Sequence, residues 1–585
     1  MRLSKAPNLG TNARLGWTVL AVTLIAAGAL ALTHHDIVKT LGDTDDAMRL
    51  VLVRRLRQGG GWYDQLVVRL QPPFGVYMHW SRLLDGVLAG LMSLLGLFLS
   101  PSSAELVVRF AWPLTLIAPA VASGLFVVRR LGGEAAVFVG AVLMLANMEL
   151  YGQFRPGRVD HHNVQIVMTM IAVACAVAPT HRRLCAMGAG AATGLGLAIG
   201  VEALPFLALV GAGYAMNMVF DHKAAKATRA YAVSLLACSA ALFALQTPPW
   251  RWSLSFCDAI GFNLIAAIAV GAIGLAAVST WAVGQPRVVR AGLAGGIGLA
   301  VLAVYLTLDP ACWHGPLAAV DPRLRPIWFD SIQELLPWPR LLQAQPRDGI
   351  RSITTGVIGI LAAIWLAARS VQRRDGSAGL LVVLILAAVA EAAMVYRAED
   401  YELWFVIPVL AAGLSDLAQK AWNQAMVPTV AVSLLASPVG VATAAVLAIP
   451  TRAAAPSAAI ADHCLENGAY DQLAREPKGI VLGEIDLGSF ILANTAHAVI
   501  SAPYHRMTWG ILSAHNALAA SPAAAESLVE RLNADYVVVC PAHGVGLPPT
   551  SLATHLARGD APVWLQELSA PTAALRIFKV KKRPA

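Results

Sequence analysis

The chain has 585 residues, 57% of them hydrophobic and 14% charged, with a mean hydropathy of +0.62. That balance excludes an ordinary soluble globular protein and points to a polytopic α-helical membrane protein. The net charge of +9 would suggest nucleic acid in a soluble chain, but here Arg and Lys fall in short clusters between apolar runs. They read as topology signals, and no nucleic-acid partner is expected.

Met1 to Arg14 is short and basic and precedes the apolar run Leu15 to Leu32. With no small-residue cleavage site before Thr33, this reads as an uncleaved first span with the amino terminus cytoplasmic. A long periplasmic loop is expected from His34 to about Asp85, carrying Asp43, Asp45 and Asp46 early and Gln71-Pro72-Pro73-Phe74-Gly75 later. Gly86 to Ser100 is shorter than the roughly 20 residues a crossing needs and is expected to be an interfacial or re-entrant helix. Parity supports that choice. Glu105 to Val128 then ends at a cytoplasmic Arg129-Arg130, and Ala135 to Met148 brings Asp160 back to the side of the first loop.

The alternation continues through Val164 to Pro179, ending at His181-Arg182-Arg183, then Leu184 to Val201 and Leu204 to Phe220, ending at the basic Asp221 to Arg229 segment. Tyr231 to Gln246, Phe262 to Val283 and Leu293 to Leu308 lead to a second large loop, Asp309 to Arg351. Ile353 to Ala368, Leu380 to Tyr396, Leu403 to Leu417 and Val427 to Ile449 complete about thirteen spans, with Arg369, Arg373 and Arg374 on the inner side. The expected architecture is a transmembrane domain at 1–450, with large periplasmic loops at 33–104 and 309–351, and a periplasmic soluble α/β domain at 451–585, all in a bacterial inner membrane. In that domain Gly479 to Ile485 and Asp535 to Cys540 are strand-like, and Ala523 to Leu532 has helical spacing. Of the seven cysteines, Cys464 and Cys540 can pair within it, Cys257 and Cys312 lie in loops on the same side, free or paired, and Cys175, Cys185 and Cys238 are expected as buried thiols.

Asp43, Asp45, Asp46, Asp160, His161, His162, Asn163, Asp330 and Glu334 all fall on one side of this topology. Ionisable residues are sparse within the spans, which argues against a proton-coupled transporter or a channel. Arg109, Glu202 and Glu391 are exceptions, the first two close enough to a span end to snorkel. In Arg158-Val159-Asp160-His161-His162-Asn163 a carboxylate and two imidazoles can ligate a divalent cation, although short Asp/His clusters also cap helices or face solvent. Carboxylates converging from separate loops suit a Mg²⁺ or Mn²⁺ site for a pyrophosphate leaving group, where a further carboxylate orients or deprotonates the acceptor. A lipid-linked donor explains a membrane scaffold for such chemistry.

The order of these motifs resembles that of the GT-C glycosyltransferases, and within them the oligosaccharyltransferase catalytic subunits. Asp43-Thr44-Asp45-Asp46-Ala47-Met48-Arg49 has the family's spacing of an Asp with an Arg six residues later. Asp160-His161-His162 is similar to the archaeal second motif, Ser331-Ile332-Gln333-Glu334 fits Ser/Thr-Ile/Val-x-Glu, and Tyr396-Arg397 precedes a segment like the one that binds carrier phosphates. The resemblance implies inverting transfer of a sugar or oligosaccharide from a polyprenyl-(pyro)phosphate carrier. Asp43, Asp160 and His162 would be metal ligands, Asp43 and Glu334 would hold and activate the acceptor, and Arg397 would contact the phosphate. Asp160 counts with Asp43 and Glu334 as catalytic, and Asp45, Asp46, Arg49, His161 and Asn163 as substrate-binding neighbours.

Other readings stand beside these. Asp45 and Asp46 can simply cap a helix from Ala47 to Arg57, and His161 can be a structural neighbour. Where the family carries Trp-Trp-Asp-Tyr-Gly, this chain has Glu484-Ile485-Asp486-Leu487-Gly488, so the acceptor stays open between protein, lipid and polysaccharide. Gln71-Pro72-Pro73 with His79-Trp80 shapes the first loop or touches substrate; His497, Tyr504, His505 and Arg506 are surface residues or belong near the acceptor segment. Arg323, Arg325 and Arg340 meet phosphates or anchor at the interface. The enzymatic alternative is a GT-C transferase using a polyprenyl-monophosphate sugar on a lipid or polysaccharide; the non-enzymatic one is a transporter or assembly scaffold.

Overall fold

A computed structural model describes residues 9–178, 183–318, 320–373, 376–447, 463–541 and 547–581; His181, Arg182, Arg374 and the expected domain boundary at 450/451 lie outside them. Among the described residues the expected spans fall on apolar helices or on bent pairs of them, because a chain without water must satisfy its backbone internally. Seven helices are long and apolar enough to cross a membrane: Asn12–Thr33, Pro101–Gly132, His222–Gln246, Phe262–Trp281, Arg287–Leu308, Pro346–Ser370 and Tyr396–Trp422. His162–Ala176, Arg183–Ile199, Leu204–Phe220 and Ala378–Met394 are shorter apolar helices.

Two further segments are broken. Glu134–Ala146 turns by 67° into Met148–Phe154, and Met426–Leu435 by 58° into Pro438–Leu447; counting each pair as one span brings the total to nine. The expected single helix from Val427 to Ile449 fails at Pro438, which has no N–H to donate back along the helix. The breaks are stitched to each other. Asn147 donates to the carbonyl of Leu143 (2.7 Å) and accepts from the N–H of Val439 (3.0 Å), satisfying a donor freed by the second bend.

The first long loop folds into a helix, Thr44–Arg57, a small hairpin of β1 (Leu66–Val67) and β2 (Val76–Tyr77), and a second helix, Arg82–Leu95. The second helix buries Leu84, Leu88 and Met92 and turns Leu94 outward, while Leu97 and Phe98 stand exposed just beyond it. Helix Thr44–Arg57 starts earlier than expected. Asp43 is its cap, accepting from the N–H groups of Asp45 (3.0 Å) and Asp46 (2.9 Å), with Asp46 reciprocating from the N3 position. Arg109 does not snorkel: it is buried and donates to the carbonyls of Ile37 and Thr40 at 2.8 and 2.7 Å, pinning the start of this loop.

The carboxyl-terminal part holds a five-stranded sheet in the order β4-β3-β5-β7-β6, built from β3 (Ile480–Gly483), β4 (Ala498–Val499), β5 (Tyr536–Val539), β6 (Leu565–Glu567) and β7 (Arg576–Val580). The first three run parallel and the last two pair antiparallel. The strand-like runs and the helix now seen at Pro522–Arg531 fall where the sequence puts them. The first loop completes the open edge of this sheet. Gln71 donates to the carbonyl of Val499 and Val499 to that of Arg69, both at 2.8 Å, and the Arg69 side chain caps the carbonyls of Leu492, Thr495 and His497. One apolar core therefore contains Met48, Leu52 and Trp80 of the first loop together with Tyr470, Phe490 and Tyr504 of the sheet domain. Cys464 and Cys540 form a disulfide inside that domain, and a second one joins Cys257 to Cys312; Cys175, Cys185 and Cys238 are free.

Candidate functional site

Asp160 lies on the turn that leads into helix His162–Ala176, and the residues around it fix that turn from three sides. Asp46, wholly buried, accepts from the N–H groups of Val159 (2.7 Å) and Asp160 (3.0 Å) and from Arg158 (2.9 Å). Asn163 closes the turn by donating to the carbonyls of Gln153 and Arg158. Arg158 also pairs with the second oxygen of Asp43 and donates to Gln153 at 2.9 Å. Behind the turn Arg49, fully buried, donates to Asp85 at 2.8 Å, approaches Asp160 at 3.4 Å and lies over Trp80. Asp46, Arg49 and Asn163 thus hold other residues of the turn and lie in a supporting layer beneath the residues that line the cavity.

His161 bridges two carboxylates. Its Nδ1 is 2.6 Å from Asp160 and its Nε2 is 3.0 Å from Glu202. Burial alone would lower its pKa, but the two carboxylates push it up to about 10. With a carboxylate at each ring nitrogen it is engaged on both sides, which makes it a positioning group. His162 differs: its Nε2 faces the second oxygen of Asp160 at 3.0 Å, and both atoms are buried without a hydrogen-bond partner among the described residues. An orphaned carboxylate oxygen facing an orphaned imidazole nitrogen fits a cation between them. The ligand atoms of Asp160, His161 and His162 all lie within 4.8 Å of one another.

Glu202 is the residue that sequence reading misplaced. It sits on the turn after Arg183–Ile199 and approaches His161, His162 (3.5 Å) and Arg397 (3.8 Å), instead of snorkelling. Burial would raise its pKa, but the two histidines and Arg397 depress it. The close approach requires Gly200, where a Cβ would come within 2.5 Å of the Gln165 side chain and 3.1 Å of His161. The missed signal is that Glu202 follows a helix end and precedes Pro205, so the chain turns there and keeps the carboxylate at the bundle end.

Arg397 also ion-pairs with Glu334. The two segments are held together by a hydrogen bond from the Tyr396 N–H to the Leu336 carbonyl (3.2 Å). Asp43, Asp45, His161, Glu202, Glu334 and Arg397 line a single cavity of about 1000 Å³. Burial raises all the carboxyls here, and their charged neighbours set them apart. Burial, then the Asp160 and Asp43 charges, hold the Asp45 carboxyl well above the usual range; burial opposes but His161 and His162 hold Asp160 well below it. For Asp43, burial and Asp160 push upward, but Arg158 and the capped N–H of Asp46 win and lower it. Asp330 stays outside this cavity, facing Arg325 (3.9 Å) and Arg340 (3.8 Å), while Arg323 pairs with Asp321. His497 is structural: it is buried, accepts from the N–H of Gly479 at 3.1 Å and lies 2.8 Å from the carbonyl of Leu473.

No family model and no curated protein matches the sequence. Solved structures do match. The apo oligosaccharyltransferase of Archaeoglobus fulgidus aligns with a TM-score of 0.64 at 16% identity over 90% of this chain and 69% of that one. The same archaeal enzyme in complex with an inhibitory peptide and a dolichol-phosphate gives 0.63 at 16% identity over 95% and 74%, and its complex with Zn and sulfate gives 0.59 at 15% over 95% and 72%. The chain has the membrane GT-C fold of this oligosaccharyltransferase.

Proposed function

We propose that the chain is an inverting membrane glycosyltransferase, which moves a sugar or oligosaccharide from a polyprenyl-(pyro)phosphate carrier to a periplasmic acceptor. The observation that carries this reading is the meeting of Asp43, Asp45, His161, Glu202, Glu334 and Arg397, from five distant stretches of sequence, on one cavity at one end of a helix bundle, with Asp160 held directly against His161. In this reading thirteen segments cross a bacterial inner membrane, the two broken pairs counting as one each, with the amino terminus cytoplasmic and the sheet domain periplasmic.

Asp160 and His162, with Asp43 beside them, would hold the cation, Mg²⁺ or Mn²⁺; when bound it neutralises charge on the phosphate leaving group. The rest is done by the chain. Arg397 binds the carrier phosphate, exchanging its bond to Glu334 for one to the donor. Glu334, so released, accepts the acceptor's proton as the acceptor attacks the anomeric carbon and the bond to the carrier oxygen breaks, its electrons leaving with the phosphate. Asp45, whose carboxyl burial and the Asp160 and Asp43 charges hold above the usual range, hydrogen-bonds a reactant from the cavity wall. His161 fixes Asp160 and Glu202 in register.

The test compares periplasmic glycoproteins, lipid-linked sugars and surface polysaccharide in wild-type, Asp160→Ala and Glu334→Ala cells by mass spectrometry. Loss of one glycan with accumulation of its lipid-linked precursor is expected for both variants, at unchanged protein levels. Normal glycans in either variant would refute the assignment and return the chain to the transporter or scaffold class. The absence of both tryptophans from Glu484 to Gly488 favours an acceptor other than a peptide.

A further inference from the structure

The cavity has a further stretch of wall, adjoining the carboxylates, which the reaction described above does not use. It joins three distant segments: Tyr77, His79 and Trp80 of the first loop, Arg251 to Asp258 of the loop after Ala225–Gln246, and Tyr504 to Arg506 after β4. All three segments line the same cavity as Glu334 and Arg397. At about 1000 Å³ that cavity is at the top of the range for small-ligand sites, with room for two reactants side by side.

This wall is braced from within. Arg506 holds Asp258 with two bonds (2.7 and 2.9 Å), and His505 lies 2.7 Å from the same carboxylate. Arg251 lies flat over Tyr77 at 3.7 Å and near Phe256 at 4.9 Å. The Tyr504 hydroxyl donates to the carbonyl of Thr44 at 3.1 Å and shares a hydrogen bond with Ser489 at 2.7 Å, while its ring meets Trp80 edge-on. The Cys257–Cys312 disulfide ties down the middle segment.

Two ligand classes fit poorly. A cation finds the oxygens of Asp258 already taken by Arg506 and His505. A peptide read by stacked indoles has none between Glu484 and Gly488, where only Asp486 faces the cavity. What remains is a set of flat rings, with a guanidinium spread on one of them, beside His79, whose ring makes no hydrogen bond to another described residue. Burial, against the Asp258 charge and helped by His505 and Arg506, holds His79 well below the ordinary imidazole range, so the ring offers one donor and one acceptor. Apolar faces edged by bifunctional polar groups complement a ring that alternates C–H and O–H.

We infer that this wall, centred on His79, Tyr504 and His505, is a saccharide-binding subsite, and that the acceptor is a glycan whose hydroxyl it presents to Glu334. The identity of the wall as the acceptor side rests on the glycosyltransferase reading; its ligand class does not. Transfer then makes a glycosidic bond from the acceptor oxygen to the anomeric carbon, the acceptor proton passing to the carboxylate and the carrier phosphate departing with the bonding electrons.

The experiment uses the full chain in detergent, with neutral oligosaccharides released from the cell's own surface polysaccharide as one probe and an Asn-Val-Thr peptide as the other. Saturable oligosaccharide binding is expected for wild type, and at least tenfold weaker binding for His79→Ala, which removes no internal hydrogen bond. Independently of any variant, bound oligosaccharide should protect His79 of the wild type from carbethoxylation, read by mass spectrometry. No oligosaccharide binding by folded wild type, equal binding by His79→Ala, or peptide binding that protects His79 in place of saccharide would each overturn the inference. Unchanged glycans in Asp160→Ala and Glu334→Ala cells, with His79-dependent saccharide binding by the wild type intact, would refute the enzyme reading while leaving the subsite standing.

Discussion

Asp46 offers the sharpest test of how the site is built, because it touches the catalytic turn without lining the cavity. One of its oxygens accepts the backbone N–H groups of Val159 and Asp160, and the other accepts Arg158 and the Asp43 N–H. Replacing it by Ala leaves two buried N–H groups without partners and Arg158 with Asp43 as its remaining carboxylate. Breaking one side of a buried charged pair costs about 3–5 kcal/mol, a large share of the roughly 5–15 kcal/mol by which proteins are stable. Asp46→Asn keeps an acceptor and the shape but loses the charge facing Arg158, and should cost about half as much. Since a displacement of about 1 Å can cost on the order of 10²-fold in rate, Asp46→Asn should slow transfer by about that factor while the chain remains folded. The assays are thermal unfolding of the detergent-solubilised chain, amide exchange at Val159 and Asp160, and transfer from a lipid-linked donor. Unchanged amide protection and unchanged transfer in Asp46→Asn would show that the turn is held by something else, and the reasoning would fail.

Glu202→Gln removes the charge shared by His161 and Arg397; one charged hydrogen bond is worth about 1.5–3 kcal/mol, so transfer should fall ten- to a hundredfold with folding intact, and a rate within twofold of wild type would exclude Glu202 from the site. Gly488→Ala puts a Cβ 2.1 Å from the carbonyl oxygen of Ser501 and 2.9 Å from the Cα of Ala502; overpacking against backbone should cost about 1–3 kcal/mol, read as a lowered unfolding temperature. Asp258 has its carboxyl depressed below the ordinary 3.8, with burial opposing and the hydrogen bonds from His505 and Arg506 prevailing. A depressed carboxyl contributes stability above its unfolded value that is lost as pH falls through the folded one. The 247–261 loop should therefore resist limited proteolysis at neutral pH and yield only below about pH 4, a step missing in Asp258→Asn; a transition near pH 6 would assign it to a histidine instead.

Much of this molecule was legible from local information. Apolar runs of near-span length become helices because hydrocarbon leaves the backbone no other partner, and the β-branched runs at Ile480–Gly483 and Tyr536–Val539 become strands of the sheet. Asp43, Asp160, His162, Glu334 and Arg397 were legible as chemistry because charges are costly beside apolar spans and stand out there. What the tertiary structure decided is which of those charges work and which brace. Asp46 is the same residue type as Asp45 and Arg49 lies in the same motif, yet both are wholly buried, Asp46 against the Asp160 turn and Arg49 against Asp85 and Asp160, while Asp43 and Asp45 reach the cavity. Glu202, the Asp258 clamp and the first loop's pairing with β4 were not legible at all. Each joins residues tens to hundreds of positions apart, and nothing in local spacing or periodicity records a partner that only the packed chain brings within reach.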